Sequence, residues 1–192
     1  MMNVIEAIRT RRSIGKVTQE PIAKETIELI LEAGIWAPNH RLTEPWRFFV
    51  LSGDGRRKLG GALASIAVAQ AAEGLDAAAL EAKAEDARKK ALRAPVVIAV
   101  AVEPAERKDV IELEEYGAVN AAIQNMLLTI HALGLGAVWR SGEPCYHPLM
   151  NEAFGLRPQD KMLGFIYLGV PDMAAPQAKR ASAASKTTWI GQ

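Results

Sequence analysis

The chain has 192 residues, with 23 Lys and Arg against 22 Asp and Glu, a net charge of +1 and 23% charged residues. That is most simply one domain spanning 1–192, with neither the basic field that nucleic acid asks for nor an acidic character. Cys145 is the one cysteine, which excludes an internal disulfide framework and any multi-cysteine metal site and fits a reducing cytoplasm.

The first element is a short amphipathic helix carrying Glu6, which does not read as a signal peptide. Val4, Ala7, Ile8 and Arg11 follow the i, i+3, i+4, i+7 spacing of one face, and Ile5 points the same way as Arg12. An apolar stripe that predicts burial therefore ends in two guanidinium groups. Burying one of them unpaired costs on the order of several kcal/mol, so the pattern asks for an anion or polar ligand. The alternative is that Arg11 and Arg12 complement the negative end of the helix and lie in water.

A second helix is predicted over Lys24–Ile35, with Ile27, Ile30, Leu31 and Gly34 on one face and Pro38 preventing its continuation. The loop that follows holds His40 close to Trp36, either a ligand contact or a plain loop residue. Trp46–Leu51 reads as a buried strand, Gly53-Asp54-Gly55 as a turn, and the alanine-rich Arg56–Arg93 as two helices broken near Gly74. The charges from Glu81 to Lys90 read as a solvated face.

Pro95–Val102 is a continuous apolar strand, too short to span a membrane. Glu112–Leu133 is the strongest helix, closed by Gly134, with Val119, Ile123, Met126, Ile130 and Leu133 on one face and Ala118, Ala121, Leu128 and Ala132 over much of the rest. Burial all round predicts a central position or a subunit interface, hence a homodimer. Strands at Ala137–Arg140 and Leu163–Leu168 flank a short helix near Leu149–Phe154. None of the four strands alternates apolar with polar, which predicts helices on both faces of the sheet. From Asp172 to Gln192 only Trp189 and Ile190 are core-forming, so the tail is loose unless it docks on a partner.

Self-sufficient catalytic motifs are missing: there is no GxGxxG after a strand, GxxxxGK[ST], HExxH or GxSxG. His40, His131 and His147 lack metal-ligand spacing, and Cys145 has no basic activator near it in sequence. No catalytic side chain and no metal is expected, so in an enzyme a cofactor would carry the reactive atom.

Four segments in order, Arg11-Arg12-Ser13, Ala37-Pro38-Asn39-His40 leading into Glu44-Pro45-Trp46-Arg47-Phe48, Gly134-Leu135-Gly136-Ala137-Val138-Trp139-Arg140-Ser141, and Leu168-Gly169-Val170-Pro171, resemble the nitroreductase family of FMN flavoproteins. The likeness covers nearly the whole chain and points to a small branch that keeps Trp-Arg-Ser after the glycines. It implies an α+β fold of three α/β/α layers, a mainly antiparallel mixed sheet covered by helices on both faces, and a homodimer with FMN sites at the subunit interface. By the same resemblance, Arg11, Arg12 and Ser13 meet the FMN phosphate and ribityl end. Trp36 and His40 reach the FMN of the other subunit, and Trp139, Arg140 and Ser141 complete the pocket. Lys179 and Arg180 lie where relatives often place a further phosphate cation. Relatives often carry a basic residue where this chain has Gly15, and Lys16 is the candidate to take its place. Leu42-Thr43-Glu44-Pro45-Trp46 also lacks two amide side chains common in relatives. The implied reaction is ping-pong, hydride passing from NAD(P)H to FMN and then to a small-molecule acceptor such as a nitroaromatic or quinone. The rival readings are other flavin chemistry on the same fold, such as dehalogenation or flavin breakdown, and a non-enzymatic nucleotide-binding dimer.

Overall fold

The computed structural model describes residues 2–191, so Gln192, the last residue of the predicted tail, lies outside it, as does Met1. The helices are α1 (Val4–Thr10), α2 (Lys24–Ile35), α3 (Arg56–Ala69), α4 (Ala77–Lys90), α5 (Glu112–Ala132), α6 (Glu143–Tyr146) and α7 (Pro148–Phe154). The strands are β1 (Trp46–Ser52), β2 (Val96–Val102), β3 (Gly136–Arg140) and β4 (Lys161–Gly169), in the order β1-β2-β4-β3 with every pairing antiparallel.

The period of two along β2 builds three layers. Val96, Ile98, Val100 and Val102 meet Ile27 and Ile30 of α2 and Val119, Ile123, Met126 and Ile130 of α5. Val97, Ala99 and Ala101 meet Leu59, Leu63 and Ile66 of α3 and Met150 and Phe154 of α7 on the other side. All seven residues of β2 are buried. At roughly 1.5–3 kcal/mol per buried large aliphatic side chain, these two clusters dominate the driving force for folding. The α+β, three-layer expectation holds. Burial on both faces is complete only for the inner strands: the edge strand β1 leaves Arg47, Val50 and Ser52 exposed, because no neighbour covers its outer side.

Helix ends follow local chemistry. Asn3 caps α1 through its side chain, which accepts from the Glu6 N–H at 2.9 Å. α5 closes in a Schellman motif: Gly134, at φ +77°, donates to the His131 carbonyl, and Leu135 donates to that of Ile130.

One burial expectation fails within the single chain, and a second is met on one side only. In α1 only Ala7 is buried, while Val4, Ile5 and Ile8 are 64%, 54% and 53% exposed. In α5 the side toward the sheet is buried, but Leu113, Gly117, Asn120 and Gln124 are exposed and Ala121 and Leu128 half-buried, a strip at helical spacing facing away from the sheet. Apolar periodicity marks surface that avoids water without saying which molecule covers it. The tail from Asp172 onward is exposed throughout its described length, including Trp189 and Ile190. No helix among the described residues is long and apolar enough to cross a membrane.

Candidate functional site

After α1 the chain runs beside the sheet without joining it as a named strand. Ile14 is buried, its N–H donating to the Ala137 carbonyl at 2.8 Å, Val17 bridges Pro171, and Thr18 donates to the Val170 carbonyl at 2.8 Å. This tether needs a bare strand at Gly136, where a Cβ would sit 2.9 Å from Ile14 Cγ2. It brings Arg11 and Arg12 against the last turn of α5 and the start of β3, where they line a narrow crevice with Leu127, Ile130, His131, Leu135 and Ala137.

The arginines are half-buried for this reason and not because they end a buried stripe. Arg12 uses Nη1 to bond the carbonyls of Arg9 and Arg11, at 2.8 and 2.7 Å, satisfying free carbonyls near the end of α1. Its Nε is buried and has no hydrogen-bond partner. Burial pushes the Arg11 guanidinium below its ordinary range, with the charges of Arg12 and Arg180 acting in the same direction. Three guanidiniums, those of Arg11, Arg12 and Arg180, therefore act on one another's charge, exposed Ser13 follows Arg12 in the chain, and none of the three makes an ion pair among the described residues. Forked donors without counter-charge suit an oxyanion such as a phosphate. Arg180, offered in sequence by the resemblance, joins the set because its charge lies near enough to act on Arg11.

Trp139, Arg140 and Ser141 lie at the end of β3, so the structure brings them to the same edge as the Arg11–Ser13 segment. The Trp139 indole N–H points to the Leu163 carbonyl at 3.4 Å, and the Arg140 guanidinium lies 5.9 Å from the Tyr167 ring centroid. A nitrogen of Arg140 is 3.9 Å from where a Cβ on Gly15 would be. Lys16 turns away and pairs with Asp172 at 2.8 Å, so the cation that comes beside Gly15 is Arg140 and not Lys16. Next to it opens a pocket of about 620 Å3 that includes Trp139, Arg140, Ser141, Lys90, Arg93 and Tyr167. Cys145 lines it too, but burial pushes its thiol up to about 12, so no thiolate is available as a nucleophile.

Trp36 and His40 are elsewhere. Trp36 is 78% exposed, its indole donating to Glu32 at 3.1 Å, and His40 pairs with Glu114 in the first turn of α5. Glu114 and His131 are roughly 25 Å apart at the rise of a helix, so one chain cannot wrap both ends of α5 around one small ligand. The His40 loop is held under strain, with Arg41, Leu42 and Glu44 all at positive φ, of 59°, 52° and 48°.

Glu115, fully buried, clamps that loop by accepting from Thr43 Oγ1 at 2.6 Å and from the Ala105 N–H at 3.2 Å. No motif in the sequence marks Glu115, but it extends the Val119-Ile123-Met126 face by one turn and so places a carboxylate on an apolar surface. Glu115→Ala leaves the Thr43 hydroxyl and Ala105 N–H without their acceptor and is expected to cost about 2–3 kcal/mol. Urea unfolding checks this, and an unchanged midpoint would show that the clamp carries no stability.

Comparison with known proteins adds an independent line. The family model described as "Nitroreductase family" matches residues 8–170. The Escherichia coli (strain K12) protein named "Putative NAD(P)H nitroreductase YdjA" is 36% identical over 174 residues, covering 91% of each chain. YfhC of Bacillus subtilis (strain 168), similarly named, is 32% identical over 176 residues, covering 91% of this chain and 87% of its own. Among solved structures, a nitroreductase-like family protein from Bacillus cereus superposes with a TM-score of 0.85 at 28% identity, covering 100% of this chain and 98% of that one. A Desulfovibrio desulfuricans protein solved in complex with FMN gives 0.70 at 32% identity, with 96% of each chain covered.

Proposed function

The chain belongs to the nitroreductase family, and from that premise we propose that it is an FMN-dependent NAD(P)H oxidoreductase that works as a homodimer with its two sites shared between subunits. One observation carries the reading: His40 and the Arg11-Arg12 pair, both assigned to the cofactor, lie at opposite ends of α5. Pairing two copies with their α5 helices antiparallel sets Trp36 and His40 of the partner subunit beside Arg11, Arg12 and Ser13. The uncovered strip on α5 and the exposed apolar face of α1 supply surface for such a pairing. The exposed Trp189 and Ile190 add a tail able to lie on the partner.

The donors fit FMN. The orphan Nε of Arg12 and the crowded charges of Arg11 and Arg180 call for a dianion, which a phosphate monoester supplies, and Ser13 adds a hydroxyl. Trp139, Arg140 and Ser141 hold the flanking wall, while Trp36 and His40 of the partner subunit close the pocket and exclude water. FMN, when bound, supplies the two-electron centre that takes hydride from NAD(P)H and returns electrons to a nitroaromatic, quinone or similar acceptor. Lacking a thiolate at Cys145 or any metal-binding cluster among the described residues, the chain contributes binding, orientation and charge.

The purified protein is expected to be yellow, to release FMN, to scatter light as about twice 20.8 kDa, and to oxidise NAD(P)H anaerobically with a nitro or quinone acceptor. A folded dimer that refuses added FMN would overturn the reading. Site sharing has its own test. Arg11→Met homodimers and Trp36→Ala/His40→Ala homodimers should each lose FMN, whereas the mixed dimer regains one intact site. Failure of the mixed dimer to recover any FMN would place the whole site in one subunit.

A further inference from the structure

Two clefts flank the α3–α4 hairpin and treat their cations differently. The first, of about 730 Å3, includes Arg56, Arg57, Arg88 and Lys89. Each has an internal partner: Arg57 pairs with Asp54, Arg88 with Glu81 and Glu85, and Lys89 with Asp86. Arg56 donates to the Gln19 side chain and the Ala94 carbonyl. The second, the pocket of about 620 Å3, gathers Lys90, Arg93 and Arg140 with no Asp or Glu in its lining. None of those three cations has an ion-pair partner or a hydrogen-bond acceptor among the described residues.

Geometry makes the three converge. Lys90 ends α4, Arg93 lies in the turn before β2, and Arg140 reaches over the Tyr167 ring from β3. Tyr167 records their approach: burial pushes its hydroxyl up, and the charges of Arg140 and Arg93 pull it back down. Water screens the mutual repulsion of such exposed side chains to about 1 kcal/mol even at 4 Å, so the arrangement survives empty. A concave site with one sign of charge nonetheless concentrates anions. Its apolar floor of Val138, Phe165 and Tyr167 suits a ring, and its volume suits a small molecule.

We propose that this pocket recognises an oxyanion carried by a co-substrate, with Arg93 and Lys90 gripping the charged group and the floor taking the ring. The inference rests on the preceding reading, since the pocket shares Trp139, Arg140 and Ser141 with the FMN site and so opens beside it. Two sources carry this chemistry: a carboxylate on an aromatic acceptor and the 2'-phosphate of NADPH. Lys90 ends the run from Glu81 that the sequence presents only as a solvated helical face, and the role of Lys90 and Arg93 follows from what they face in three dimensions.

The test uses FMN-loaded enzyme and two ratios of kcat/KM, 4-nitrobenzoate over nitrobenzene and NADPH over NADH. In the Arg93→Gln/Lys90→Gln variant, one ratio is expected to fall about tenfold or more, as loss of a charge-assisted contact implies, and the ratio that falls identifies the source. In the unaltered enzyme the favoured ratio should also shrink between about 20 and 300 mM salt, as screening requires. Both ratios unchanged, or loss of FMN from the variant, would overturn the proposal, the latter by giving the pocket to the flavin itself. If the unaltered protein binds no FMN, the functional reading fails separately. Calorimetric binding of 4-nitrobenzoate and of NADPH to the unaltered protein and the variant then decides this one, with equal affinities overturning it.

Discussion

Replacing Arg11 with methionine is expected to lower FMN affinity by about ten- to a hundredfold while leaving the apoprotein as stable as before or slightly more so. The two signs come from one cause. Arg11 is half-buried beside Arg12 and within reach of Arg180, an arrangement that disfavours its charge in the free protein. Removing the charge relieves that repulsion, and methionine keeps much of the apolar stem. Against a phosphate dianion, the same guanidinium makes charge-assisted hydrogen bonds worth about 1.5–3 kcal/mol, which is the affinity lost. Quenching of free FMN fluorescence on titration measures the first effect, and thermal unfolding without FMN measures the second. A variant that binds FMN normally would remove Arg11 from the site. One that unfolds easily would give it a structural role instead, of the kind Arg12 already has through the carbonyls of Arg9 and Arg11.

That division of labour between adjacent arginines was not readable in the sequence, and the reason is general. Elements governed by local periodicity were legible: α2 at Lys24–Ile35, α5 to within one residue, and β2 with both faces buried follow from spacing alone. Gly134 closing α5 follows equally, because a left-handed residue after a helix has few alternatives to glycine. The segments that carry the resemblance to the nitroreductases were legible too, and the chain belongs to that family. What depended on three-dimensional approach was not. Nothing in one dimension indicates that Arg140 rather than Lys16 comes beside Gly15, or that the last turn of α4 overlooks Tyr167. The apolar face predicted on α5 packs into this chain's own core, whereas the stripe on α1, which the spacing predicts to be buried, is exposed within the chain. Periodicity is the same whether the covering surface belongs to this molecule or to another.

Gly164→Ala is expected to be the most damaging small substitution, and its effect joins stability to the site. Val100 pairs with Gly164 and Ala101 with Met162, so Leu163 bulges out of the β2–β4 ladder. The bulge leaves the Leu163 carbonyl for the Trp139 indole and lets Gly164 sit at φ +150°, a conformation that L side chains rarely adopt. A Cβ there would lie 2.6 Å from the Arg140 carbonyl and would also run into the Trp139 ring. The carbonyl cannot swing aside, being backbone at the end of β3 where Arg140 pairs with Phe165, so relief has to come from shifting Trp139 and the β3 end. Overpacking of 1–3 kcal/mol, added to backbone strain of 1–2 kcal/mol, gives a loss of about 3 kcal/mol or more. For a chain of this size that is a fall in Tm of roughly 6–12 °C. Because the strain is relieved by displacing Trp139 and Arg140, FMN affinity should fall with it. Gly61→Ala, in the middle of α3 with open space around it, is the control and should be neutral or stabilising by up to about 1 kcal/mol. Equal melting temperatures for the two variants would show that the bulge is not what positions Trp139 and Arg140.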